Sequence, residues 1–247
     1  GLVFGISGFS ALTLAVIVQC TGMTSGAYGW YRQGAYALVD RRQLMRMSLC
    51  ACGSSVFFSF LFLLAIERLS SESLLSSMKI ASALVSFYVA KLVWSEIQTR
   101  GSTRHVDGPV GRMPEDGELT TPLKVDWRIY PWIAIGALLN VTTAVGIGGL
   151  SASHIMKYYS GAAKQAVAVG VLLQAVSVVR QTVIIFLFMN EYVLVPMACL
   201  GLVITLIGGR LAALIMSCSF IQPYVKHALA LTALTMGLTF LVMLGLS

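Results

Sequence analysis

The chain has 247 residues, 57% hydrophobic and 11% charged, with a mean hydropathy of +0.83 and a formal net charge of +7. A soluble domain carries about 25% charged residues, so this composition excludes a water-soluble enzyme or binding module and points to a membrane protein. The cations lie mostly between apolar segments, with no basic stripe interleaved with aromatics, which argues against nucleic acid and for contact with anionic lipid.

Spanning a bilayer takes about 20 apolar residues, and seven segments are that long or nearly so. They are A (3–29), B (47–66), C (74–95), D (129–148), E (165–188), F (192–216) and G (225–246). The expectation is an all-α, multi-pass integral membrane protein, most simply of the plasma membrane.

Segment A places Gln19, Gly22 and Gly26 on one helix face, flanked by Thr21 and Ser25. Its Gly5-Ile6-Ser7-Gly8 resembles the Gly-x-Ser-Gly of rhomboid intramembrane proteases. Ser7 would need a histidine base, and His227 in G is the histidine available in a span. No rhomboid-like loop accompanies the pair. The five cysteines lie in or at the ends of spans without a Cys-x-x-Cys pair and read as small buried hydrophobes. No metal or cofactor is expected.

Residues 96–128 between C and D are polar and rich in Gly and Pro, the composition of a solvated linker. It divides the chain into a first half, 1–95, and a second half, 129–247. The halves are similar. Ala15-Val16-Ile17-Val18-Gln19 aligns with Gly170-Val171-Leu172-Leu173-Gln174, and Lys79 to Leu84 aligns with Lys226 to Leu231. The first half has no counterpart of D, as expected if an N-terminal segment were missing before Gly1.

Segment D ends in Gly146-Ile147-Gly148-Gly149. Three glycines in four residues break a helix. Broken backbone at membrane depth is tolerated where protein buries it or where it lines a cavity. A helix restarting there would aim N–H groups and a positive dipole end at an anion. Ser151, Ser153, His154, Lys157 and Tyr158 follow as donors. Close packing through small residues explains the same glycines more plainly. Asn140-Val141-Thr142 matches a glycosylation sequon but lies inside D.

Loop charges bear on how D runs. If D crosses, one side carries nine Lys/Arg and the other carries Arg68, Lys157, Lys164 and Lys226. If D and the stretch after it form a re-entrant hairpin, the split becomes twelve against one. The positive-inside rule favours the hairpin, although D is nearly long enough to span alone. A hairpin also reverses E relative to A and makes the halves inverted repeats, as in many secondary transporters.

Segment E carries Gln174, Ser177 and Gln181 at i, i+3 and i+7, on one face, with Arg180 flanking it. Arg210 is a second embedded cation, in F. The ten acidic residues all fall in or beside loops on this reading. Embedded cations without embedded anions suggest an anionic solute. Snorkelling of the cations and interhelical hydrogen bonding of the polar stripe are the plainer accounts.

These residues resemble the TauE/SafE-type sulfite exporter family. The resemblance rests on Gly146-Ile147-Gly148-Gly149 followed by the Ala-rich run Ala162 to Ala168. In the first half it rests on Gln19 to Ser25 followed by Tyr31-Arg32-Gln33-Gly34, which is similar to that family's second helix and its aromatic-Arg-x-Gly loop. It implies a permease for sulfite, organosulfonates and related small anions, built from duplicated halves and working by alternating access. Gly146, Gly148 and Gly149 would then cradle the anion, and His154, Gln174, Ser177 and Gln181 would donate to it. Arg180 would be the counter-charge, with Gln19, Thr21 and Ser25 completing the site. No catalytic set is expected, and a homodimer is compatible with this reading. The chain departs from the family in lacking its first glycine-rich segment and in the length of the 96–128 linker. The alternatives are a non-transporting membrane scaffold or assembly protein, and the rhomboid-like protease.

Overall fold

The computed structural model describes residues 7–37, 39–68, 71–102, 123, 125–143, 146–158, 163–218, 220–221 and 224–245. Much of the expected linker, and Gly5-Ile6, lie outside these residues. The described residues form eight α-helices: α1 (Gly8–Arg32), α2 (Arg41–Arg68), α3 (Ser71–Ser102), α4 (Ile129–Thr143), α5 (Ile147–Tyr158), α6 (Ala163–Phe188), α7 (Val195–Ser217) and α8 (Val225–Gly245). Six of them, all but α4 and α5, are long and apolar enough to cross a membrane. The chain is an all-α, multi-pass membrane protein.

Segment D is not one span. It yields α4, of 15 residues, and the start of α5, of 12. At about 1.5 Å per residue these reach roughly 22 and 18 Å, short of the ~30 Å hydrocarbon core. Between them Gly146 has φ +146°, a conformation L side chains rarely adopt. The two helices fold against each other so closely that a Cβ on Gly136 would sit 2.7 Å from the Ile147 Cα.

Contacts set the direction of every helix. Lys79 Nζ donates to Met243 O at 3.2 Å, Phe87 packs on Gly237, and Lys226 Nζ meets Glu96 Oε1 at 3.2 Å, so α3 and α8 are antiparallel. Gln19 meets Gln174, Gly26 meets Val171 and Tyr36 meets Ala168, so α1 and α6 are antiparallel as well. Gly22 beside Thr205, Gly26 beside Gly209 and Gly29 beside Ala213 make α1 and α7 parallel. Ser55 beside Ser177 and Phe60 beside Phe188 do the same for α2 and α6. The α4–α5 pair therefore enters and leaves at one end. There Gln43 bonds to Val125 just before α4, and Lys157 at the end of α5 donates to Ser95 near the end of α3. That end, called upper below, also holds the ends of α1 and α7 and the starts of α2, α6 and α8.

Glu96 corrects one expectation. Helix α3 runs past residue 95 to Ser102, so Glu96 lies inside a helix, largely buried and paired with Lys226 on α8. The buried core gathers Met47, Val93, Ile129, Ile133, Ile155, Met156 and Leu173 around the hairpin. A second cluster, Val16, Ile17, Phe62, Val141 and Ile185, fills the lower part. Just outside the helices, burial raises the Tyr36 phenol well above its ordinary range and keeps it a donor, here to Ala168 O at 3.0 Å.

Candidate functional site

The inward face of α6 meets the tip of the hairpin in a polar network. Gln174 Oε1 accepts from Gly148 N at 2.9 Å, in the first turn of α5. Gln174 Nε2 donates to Asn140 Oδ1 on α4 and to Gln19 Oε1 on α1, the latter at 3.3 Å. Asn140 Nδ2 donates to Ser177 Oγ at 3.1 Å and to Gln181 Oε1 at 3.0 Å. Gln181 Nε2 returns to Val141 O at 3.1 Å, and Ser177 shares a hydrogen bond with Ser55 on α2. Asn140, Ser55, Ser177, Gln174 and Gln181 are all buried. The tip thus reaches about the middle of α6 and ties four helices to it.

Spacing explains how α6 presents this face, since residues three, four and seven apart share one side of a helix. The glycines let the hairpin approach. A Cβ on Gly170 would collide with Gly148 O, and one on Gly148 would lie 3.1 Å from Gly170 O. Beside Gln181 and Val141 is a cavity of about 10 Å³, bordered by the buried and unpartnered Ser59 Oγ. It has room for about one water, so in this conformation the network is closed.

His154 sits higher on the hairpin, near its open end. Its ring stacks on Trp132 of α4 with centroids 4.1 Å apart, and Tyr88 of α3 and Tyr158 of α5 flank it. Nδ1 lies 3.2 Å from Leu150 O, while Nε2 has no hydrogen-bond partner among the described residues. The ring lines a pocket of about 220 Å³ together with Asp126, Arg128, Trp132 and Tyr158.

The structure joins Gln19, Gly148, Gln174, Ser177 and Gln181 in one network and does not bring the other expected residues into it. Gly146 forms the bend, and a Cβ on Gly149 would meet nothing within 4 Å. Ser25 Oγ donates to Leu206 O on α7 and so secures α1 against α7. Thr21 is half-buried and takes no part in the network bonds. Arg180 is exposed on the outer face of α6 with Val179 and Val183, turned away from the network. Arg210 is also exposed, its guanidinium 5.1 Å from the Tyr28 ring centroid, the contact a snorkelling side chain makes. Ser7 caps the lower start of α1, accepting from Ser10 N at 3.1 Å, whereas His227 is exposed at the upper start of α8. The two ends are opposite, so no Ser7–His227 dyad forms.

Asn140, the hub of the network, and Ser55 were not among the expected site residues. The available signal was a carboxamide within an apolar segment, which is costly unless it is paired. Among the described residues no three His, Cys, Asp or Glu group into a metal site. Comparison with protein-family models, curated proteins and solved structures gives no match.

Proposed function

We propose that the chain is a membrane permease for a small anion, of the sulfite or sulfonate class that its resemblance to TauE/SafE-type exporters implies. The observation that supports this best is the hairpin whose second helix begins at mid-height of α6, with its Gly148 N–H met by the Gln174 side-chain oxygen. A helix start attracts an anion, and the glutamine oxygen occupies the position an anion's oxygen would take. The present conformation is then the closed one. Swinging Gln174 aside frees Gly148 N–H and the carboxamides of Gln174 and Asn140 for the solute. The reversed directions of α1 and α6 suit alternating access by rocking. On the positive-inside rule, the upper end with Arg41, Arg42, Arg46, Lys157 and Lys164 faces the cytoplasm. Arg180 has no role in this reading.

The test is uptake of labelled sulfite into proteoliposomes, against sulfate, chloride and a sulfonate. Wild type should move sulfite or the sulfonate selectively. Gln174→Glu, nearly the same shape but anionic, should lose that flux while staying folded. A folded, inserted wild type that moves none of these anions overturns the proposal. The scaffold reading has one observation in its favour, that the network satisfies itself. It expects that no anion stabilises the protein against heat.

A further inference from the structure

We propose that the pocket at the open end of the hairpin is a second solute site, built for a small oxyanion that still carries one proton. This deepens the permease reading and rests on it for the class of anion. The argument begins with the tautomer of His154. A carbonyl oxygen only accepts, so the contact with Leu150 O makes Nδ1 the N–H donor. In the neutral ring Nε2 is then an acceptor. It is enclosed, with the residue 2% exposed, and has no donor among the described residues. A buried acceptor without a donor is costly, and a ligand bearing an O–H supplies one.

The surrounding charge selects the rest of the ligand. Arg128 lines the pocket, and Lys157 lies beside it with Nζ 5.6 Å from the Tyr158 ring centroid. Among the described residues Asp126 is the carboxylate that lines the pocket; it accepts from Arg128 N at 2.9 Å, and its Oδ2 lies 3.8 Å from Arg128 Nε. Arg128 and Asp126 offset each other, which leaves Lys157 as the excess cation and favours a monoanion. A hydrogen-oxyanion meets both demands, with its O–H donated to His154 Nε2 and its charge toward Lys157. Tyr158, 58% exposed, is the most open of the three rings around His154 and the one with most room to swing aside. Below His154 on the same face, three residues along, Ser151 Oγ is also buried and unpartnered. Gly148 and the glutamine network follow three residues further on. The unmet polar groups thus step from the pocket towards the hairpin tip.

The experiment uses the purified full chain in nanodiscs, labelled with ¹⁵N-histidine. The chain has three histidines, and His154→Phe, which keeps a ring to stack on Trp132, identifies the resonance. Hydrogencarbonate and hydrogensulfite should each move the His154 Nε2 signal saturably. Nitrate, of the same charge but without an O–H, should not. His154→Phe should bind hydrogencarbonate about tenfold more weakly or worse. No movement with either hydrogen-oxyanion, equal movement with nitrate, or undiminished binding in His154→Phe overturns the proposal. Misfolding of His154→Phe leaves the nitrate comparison intact, because substituting His105 and His227 in turn identifies the same resonance by elimination. Sulfite flux is measured on the same purified wild-type protein reconstituted into proteoliposomes. Flux without a His154 response sinks the pocket and leaves the permease, and a response without flux does the reverse.

Discussion

Asn140 concentrates the energetics of the hairpin tip in one side chain. Its carboxamide bonds to Gln174, Ser177 and Gln181, and all four residues are buried. Asn140→Leu would leave their polar groups short of partners in an apolar surrounding. The expected loss is about 2 kcal/mol. That is above the ~0.6 kcal/mol typical of one interhelical bond in a membrane and within the ~1–3 kcal/mol for orphaning a buried polar group. Unfolding in bicelles measures it, with Arg180→Gln as the comparison. Arg180 touches no part of the network, so its loss should change stability by less than about 0.5 kcal/mol and leave anion flux unchanged. The Gln174, Ser177 and Gln181 face was legible because helical spacing is periodic. Arg180 was misplaced because a neighbour in sequence is turned about 100° round the helix, which carries it from the inward face to the outer one. Asn140 escaped notice because an isolated polar residue has no period, and only its partners across helices give it a role.

Between elements, packing depends on glycines that differ sharply from their neighbours. A Cβ at Gly209 would run into Gly22 O across the α1–α7 contact, whereas one at Gly208 would meet nothing within 4 Å. Gly209→Ala should therefore cost about 1–3 kcal/mol by overpacking. Gly208→Ala should be neutral or gain up to about 1 kcal/mol from helix propensity. Thermal unfolding of the adjacent pair decides the matter, and equal effects would refute the close α1–α7 approach. The pattern is visible in sequence as Gly22-x-x-x-Gly26 and as Gly201, Thr205, Gly209 and Ala213 at four-residue spacing. What sequence does not show is which helix accepts which, because small residues recur on several spans. The break at Gly146 was equally legible, since glycines end helices, but D's length alone left open whether it crossed or turned back.

The whole molecule is polar along its axis. The upper end carries Arg32, Arg41, Arg42, Arg46, Arg128, Lys157, Lys164 and Lys226 with Asp40, Glu96 and Asp126, while the lower end carries Arg68 and Lys79 with Glu67 and Glu191. Single cysteines at Asp40, Lys164 and Ile221, in a cysteine-free background, should react with an impermeant thiol reagent from one side of the membrane. Cysteines at Glu67 and Glu191 should react from the other. Asp40 and Lys164 on opposite sides would mean that the α4–α5 segment crosses, and the hairpin would be wrong. Sequence by itself determined the membrane class, the apolar segments, the glycine break and the polar face of α6, because hydropathy and helical period are properties of neighbouring residues. The tertiary structure decided that segment D turns back, that Asn140 joins the glutamines, that Arg180 faces outward and that His154 is caged among rings from α3, α4 and α5. Those outcomes depend on which helices pack together and in which direction, and such long-range pairing leaves no mark on any one stretch of chain.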